Sequence, residues 1–276
     1  MANKVLLLGN GFIGQRLAKE LHWPVAAGRI RSFQDVQNMI KRYRPKTIIN
    51  CIGGTGARNV DDCEREPDKT IHSNAFVPLL LAEGALRNKI KLVHISSGCI
   101  YHYDYQKDQP ITELKTPDYF DLYYSRTKIY SEQALGNLAR QFNILIPRIR
   151  IPLDDQPHPR NILTKLLKFD KVLDIPNSLT YIPDFIDALR HLMRIDARGI
   201  YNVVNRGSLR YPKLLEAYQK YRPGLKFKTM SYRQLGMKRT NLILSCRKLE
   251  QSGFKVRPIN AVLDECVKRY LTHPSS

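Results

Sequence analysis

The chain has 276 residues, 43% hydrophobic and 25% charged, with a formal charge of +20 at pH 7. That length suffices for one large domain or two modest ones with ample core. No apolar run approaches the roughly 20 residues that span a bilayer, so no membrane association is expected. The five cysteines, Cys51, Cys63, Cys99, Cys246 and Cys266, form no CxxC pair, and the seven histidines form no HExxH. Both facts argue against a disulfide frame or a bound metal, and for reduced thiols in a cytoplasmic protein. The basic residues are scattered, without a tract of five and without an RNA-recognition or zinc-finger pattern. No nucleic-acid partner is expected on that footing.

The opening "MANKVLLLGNGFIG" holds a four-residue apolar stretch before a glycine turn, which reads as a strand and not as a signal peptide. An amphipathic helix over 12–21 follows, then "PVAAG" as a second strand, a helix near 32–43, and "KTIIN" as a third. A long helical stretch over about 64–87 is punctuated by Pro67 and Pro78. "KLVHIS" is the next strand, and a helix over 122–141 leads into "NILIPRI". Strands alternating with helices of this length predict an α/β fold, a Rossmann-like doubly wound parallel sheet over 1–150. Beyond residue 150 the pieces shorten and gain proline, which predicts a smaller C-terminal lobe over 151–276 in one continuous globular unit. There, Ile182, Phe185, Ile186, Leu189 and Met193 recur at helical spacing and read as core.

Gly9-Asn10-Gly11-Phe12-Ile13-Gly14 ends the first strand and opens the first helix. Glycines so placed allow a pyrophosphate to approach the helix N-terminus. An NAD-preferring site wants a carboxylate at the second strand end, yet no Asp or Glu lies between Glu20 and Asp35. Arg29 and Arg31 stand there instead. A guanidinium suits a 2′-phosphate, so the cofactor expected is NADPH; the other reading of these arginines is a solvated loop. "INCIGGTG" is a second glycine-rich exit, where Cys51, Ile52 and Gly53 would lie against the nicotinamide ribose, or form a plain turn.

Tyr124 and Lys128 in "YYSRTK" are four apart on one predicted helix face. An ammonium beside a phenol favours the phenolate, and such a tyrosine passes a proton to or from a carbinol oxygen as hydride moves. Tyr103 and Lys107 share the spacing, but in a loop closed by Pro110 with no helix to set a face.

Together these residues resemble the extended short-chain dehydrogenase/reductase family across essentially the whole chain. The glycine turn departs from the family pattern GxxGxxG by being one residue shorter. The resemblance matches the family's catalytic hydroxyl to Ser97 in "HISSGCIY", its Tyr and Lys to Tyr124 and Lys128, and a structural asparagine to Asn74. Nucleotide-sugar 4,6-dehydratases of the family carry an Asp-Glu pair after the hydroxyl. Here Gly98-Cys99 stands there, which removes the dehydratase acid and base. "TGARNVDDCE", "SSGCIYHYD", "YYSRTK", "RIRIPLDDQPHPRNILTK", "DKVLDIPNSLT" and "GIYNVVNRGS" are similar, in order and spacing, to the bifunctional 3,5-epimerase/4-reductases of nucleotide-rhamnose synthesis. That resemblance implies the epimerase pair at Cys99 and Lys165, with the roles of acid and base left open. It also implies an NADPH-dependent 4-reduction, a UDP-sugar in preference to a dTDP-sugar, a separate 4,6-dehydratase supplying the substrate, and a possible homodimer. Substrate contacts are expected at Thr55, Asn74, Arg148, Arg150, Arg160 and Asn161; the arginines fit a diphosphate clamp or a solvated rim equally well. On spacing alone Cys99 also fits a small packed hydrophobe, and His102 an exposed loop residue or a proton relay.

Overall fold

Three fully buried four-residue strands lie side by side at the heart of the N-terminal region: β1 (Val5–Leu8), β2 (Thr47–Asn50) and β3 (Lys91–His94). Burial on every residue is what a parallel sheet covered on both faces requires. The computed structural model describes residues 5–57, 59–107, 109–236 and 238–273. The three strands run parallel, Leu8 opposite Asn50 and Asn50 opposite His94. β4 (Ser96–Ser97) follows within two residues, and β5 (Ile144–Ile149) pairs parallel with β3, so the sheet order is β1-β2-β3-β5-β4.

The expected strand "PVAAG" is reduced to one bridge, Val25 to Leu7, on the edge of β1 away from β2. Pro24 lacks an N–H to donate, and Gly28, at φ +99°, turns the chain out of the sheet. Strand order therefore reverses beside β1, and such a switch point is where open parallel sheets bind ligands.

Helix α1 (Phe12–Leu21) springs from the glycine turn, and α2 (Phe33–Tyr43) follows with Ser32 and Asp35 closing a capping box. The helical stretch expected over 64–87 is broken into pieces. A 3₁₀ turn ends at Glu64, α3 covers Pro67–Ile71, a π turn covers His72–Phe76, and α4 covers Val77–Arg87. Pro67 and Pro78 each sit in the first turn of their helix, where a missing N–H costs least. Pro78 has no proton for the carbonyl of Asn74; the turn ahead of it widens, and Val77 donates to His72 instead. α5 (Tyr123–Leu138) is the next helix.

The chain divides into two compact units, Met1–Ile100, Pro117–Arg148 and Asp196–Tyr201 in the first, the remainder in the second. One crossing, after Arg148, falls beside the boundary expected at 150. The chain also crosses elsewhere, because β9 (Gly199–Asn202) pairs with β5, and because Ile111 bridges Leu244 in the second unit. The first core joins Leu6, Ile48, Leu92 and Ile146 of the sheet to Met39, Leu81 and Leu135 of the helices.

The second unit contains β6 (Pro152–Leu153) paired with β8 (Thr180–Tyr181), and β7 (Lys171–Leu173) paired with β10 (Lys228–Met230). Its helices are α6 (Ile162–Leu166), α7 (Ile182–Arg194), α8 (Tyr211–Gln219), α9 (Arg247–Gln251) and α10 (Leu263–Thr272). Of the α7 residues read as core, Ile182, Phe185, Ile186 and Leu189 are buried, while Met193 is half-buried. No described helix is long and apolar enough to cross a membrane.

Gly14 has no room for a side chain: a Cβ there would stand 1.9 Å from the Gly9 carbonyl oxygen. Gly14→Ala is expected to destabilise the protein by about 1–3 kcal/mol, read from the midpoint of denaturant unfolding.

Candidate active site

Gly9, at φ +96°, turns the chain so closely past β2 that an added Cβ would lie 2.8 Å from the backbone of Cys51 and Ile52. The two glycine-rich exits thus pack on each other at the switch point. α1 begins at Phe12 with Gly11 as its N-cap and no side-chain cap, and space for a Cβ at Gly11 is open. A helix N-terminus left without a capping side chain, beside a bare backbone cradle, fits a dinucleotide pyrophosphate. Arg29 and Arg31 are exposed beyond the Gly28 turn. The nearest carboxylate, Asp35, is engaged: it accepts from the N–H of Arg31 and from the N–H and hydroxyl of Ser32. No carboxylate in this segment is therefore left for a ribose 2′-hydroxyl.

Two asparagines hold the second loop. Asn74, in the π turn, accepts the Gly54 N–H at 2.8 Å and donates to the Gly54 carbonyl at 3.0 Å and to Thr127 Oγ1 at 3.1 Å. Its amide is engaged by the backbone of the second loop and by α5. Asn50 accepts the Ile52 N–H at 3.0 Å and donates to His94 Nδ1 at 3.0 Å. His94 is fully buried, and burial, then the Lys128 charge, holds it well below the usual histidine range. It is neutral, with its proton on Nε2. Thr55 is half-buried.

α5 brings Tyr124 and Lys128 to the end of β4. Ser125 Oγ donates to the Cys99 carbonyl at 2.6 Å, and Ser97 Oγ accepts the Cys99 N–H at 3.1 Å. Ser97, Tyr124 and Lys128 are buried, and Cys99 is partly exposed. Lys128 Nζ reaches the second loop: a Cβ on Gly53 would lie 3.2 Å from it. Burial pulls the Lys128 amine down to about 8, against the opposing pull of Glu132, Cys51 and Cys99. Burial pushes the Cys51 thiol up to about 12, against the Lys128 charge, so Cys51 stays protonated and inert. The competing pair Tyr103 and Lys107 has no helix, and Lys107 pairs with Asp104 at 3.8 Å. His102 is exposed.

Three other expected substrate contacts are engaged within the chain. Arg148 on β5 is 1% exposed and grips Glu132, Nη2 to Oε1 at 2.6 Å and Nε within 3.0 Å of both oxygens. At that burial it is not a residue of a solvated rim. In the second unit Arg150 is likewise buried, donating to Thr240 Oγ1 at 2.9 Å, to the Thr240 carbonyl and to Asn177 Oδ1 at 2.9 Å. Asn161 caps α6 through the Leu163 N–H and clamps the loop before it, donating to the carbonyls of Asp154 and Gln156. These side chains bond to groups of the chain, and residue type alone does not reveal which.

Lys165, in the last turn of α6, is half-buried, and its amine is lowered first by burial, then by Arg160 and Arg239. Arg160 itself is half-buried. Arg239 was not singled out by sequence; nothing in "GMKRTN" marks it, and only the fold brings its charge to Lys165. Glu132 was also missed, although its place four residues beyond Lys128 on the same helix was a legible signal.

Residues 5–152 match the NAD dependent epimerase/dehydratase family. The chain belongs to that family. A bifunctional dTDP-4-dehydrorhamnose 3,5-epimerase/dTDP-4-dehydrorhamnose reductase of Arabidopsis thaliana is 31% identical over 223 residues, 76% of this chain and 72% of the relative. The crystal structure of the L780 UDP-rhamnose synthase from Acanthamoeba polyphaga mimivirus matches with a TM-score of 0.89 and 25% identity, over 96% of this chain and 98% of that one. The fold is shared with dTDP-4-dehydrorhamnose reductase from Bacillus anthracis in complex with NADP, 22% identical at a TM-score of 0.81, over 98% and 99% of the two chains. As an enzyme of the epimerase/dehydratase family, this protein carries a thiol two residues beyond Ser97, and no carboxylate at Gly98 or Cys99.

Gly11→Ala separates fold from ligand. Its methyl enters open space at an ordinary φ of −87°, so the melting temperature should hold. Dinucleotide affinity, measured by fluorescence titration, should fall roughly tenfold or more, about 1.4 kcal/mol.

Proposed function

We propose that the protein converts a nucleotide 4-keto-6-deoxyglucose, with UDP the favoured nucleotide, into the nucleotide L-rhamnose by 3,5-epimerisation and NADPH-dependent 4-reduction. The observation that carries the reading is Cys99, a partly exposed thiol bonded through its backbone to Ser97 and to the helix of Tyr124 and Lys128. A dehydratase needs carboxylates at that turn and a simple reductase needs no thiol; a thiol suits proton movement on carbons next to a ketone.

The hydrogens on C3 and C5 both flank the C4 carbonyl. Their removal makes an enolate, which Ser97 and Tyr124 stabilise by hydrogen bonds to the C4 oxygen. Inversion requires a proton to leave one face of the sugar and return to the other, hence two groups. Cys99 is one, and Lys165 is the second. A thiol and an amine start near 8.5 and 10.4, so each must move toward neutrality to exchange protons; the lowered Lys165 amine moves in that sense. Bound NADPH supplies the hydride for C4. Tyr124 delivers the proton to the C4 oxygen, and the Lys128 ammonium stabilises the phenolate left behind. Arg29 and Arg31 suit the 2′-phosphate, since Asp35 is engaged in its capping box. Arg160 and Arg239 are the cations for the substrate diphosphate. A 4,6-dehydration, run by another protein, must supply the ketosugar.

The test is incubation with NADPH and the UDP- or dTDP-ketosugar in deuterated water. A rhamnose nucleotide labelled at C3 and C5 is expected; the 4-epimer of the unepimerised sugar would leave a reductase alone. Cys99→Ser should keep NADPH oxidation within about tenfold while losing label at both carbons, a loss of general acid–base help worth roughly 10²–10⁴. Equal loss of both activities would remove the assigned role of the thiol.

A further inference from the structure

Helix α5 aligns a third polar side chain with Tyr124 and Lys128. Glu132 lies four residues beyond the lysine, on the same face, and is 1% exposed. A carboxylate so deep needs partners. Arg148 grips both its oxygens from β5, and Ser96, the neighbour of Ser97, donates to Oε2 at 2.7 Å. Buried ion pairs contribute little to stability compared with apolar residues of the same volume. Stability therefore does not account for this one.

We propose that Glu132 is a positioning residue of the active site, the buried countercharge that keeps Lys128 an ammonium beside Tyr124, with Arg148 and Ser96 fixing its direction. The proposal rests on the reading that Tyr124 and Lys128 carry the proton transfer. Among the described residues, the titratable groups that act on Lys128 or feel it are few. On its own helix stand Tyr124 and Glu132; beyond β2 stands Cys51, protonated; on β3 stands His94, neutral; beyond β4 stands Cys99. Arg148 is bound to both oxygens of Glu132. Among the influences that oppose the burial of Lys128, Glu132 is the largest. The sign follows. Without the carboxylate, the amine falls below its present value of about 8, and the neutral form gains at neutral pH.

The experiment is a titration of the Lys128 Cε resonance in protein labelled with ¹³C-lysine, the signal assigned by its loss in Lys128→Met. Glu132→Gln should move the transition down by about one unit or more. Because Glu132→Gln leaves Arg148 buried without its partner, the double variant Glu132→Gln/Arg148→Met is measured as well. It removes both charges and keeps the site filled. A purely structural role would be rescued in the double variant; the countercharge role predicts a downward shift there as well, smaller than in Glu132→Gln because the Arg148 cation is removed too. The alkaline limb of single-turnover ketosugar reduction should move acidward by the same amount. A Lys128 transition unmoved in the folded double variant would overturn the proposal. The titration needs no sugar, so its failure and a failure of the substrate assignment are separate results.

Discussion

An ammonium held almost wholly out of water at the end of a parallel sheet is the constraint on which this site depends. Moving such a charge into the interior costs several kcal/mol, and the usual response is loss of the proton. Lys128 is 4% exposed, and its amine is lowered toward 8 without being abolished. Glycine at position 53 belongs to the same constraint, because any side chain there would crowd Nζ. The lysine therefore ties the catalytic helix to the second glycine-rich loop, and through that loop to the first.

The loops are held by side chains bonded to backbone and helix. Asn74 clips both backbone groups of Gly54 and reaches Thr127, whose hydroxyl donates to the Tyr124 carbonyl at 2.9 Å. One amide thus connects the dinucleotide cradle to the tyrosine. That amide is placed by the π turn, which hands over to α4 at Pro78, a residue that cannot donate. A proline that reads in the sequence as punctuation is thereby linked to the geometry of the chemistry.

Much of this was legible in the residues alone. Alternating apolar runs and helical patterns specified the parallel sheet, and the i, i+4 spacing of Tyr124 and Lys128 put them on one helix face, while the identical spacing at Tyr103 and Lys107 lacked a helix. What the residues alone did not show is which partner each polar side chain meets. Arg148, Arg150 and Asn161 look like ligand-binding types, and each is engaged within the chain, by Glu132, Thr240 or Asp154. The edge strand at Val25 failed for a local reason, a proline with no proton to give and a glycine turning outward. The interleaved units were not visible because strand pairing, and not sequence order, decides where residues 196–201 belong.

The most direct measurement is single-turnover NADPH oxidation by Lys128→Met at neutral pH, with saturating ketosugar nucleotide. If the buried ammonium stabilises the phenolate left by Tyr124, the rate should fall by about 10²-fold or more with dinucleotide still bound. A rate within a few-fold of the unmodified protein would contradict the account.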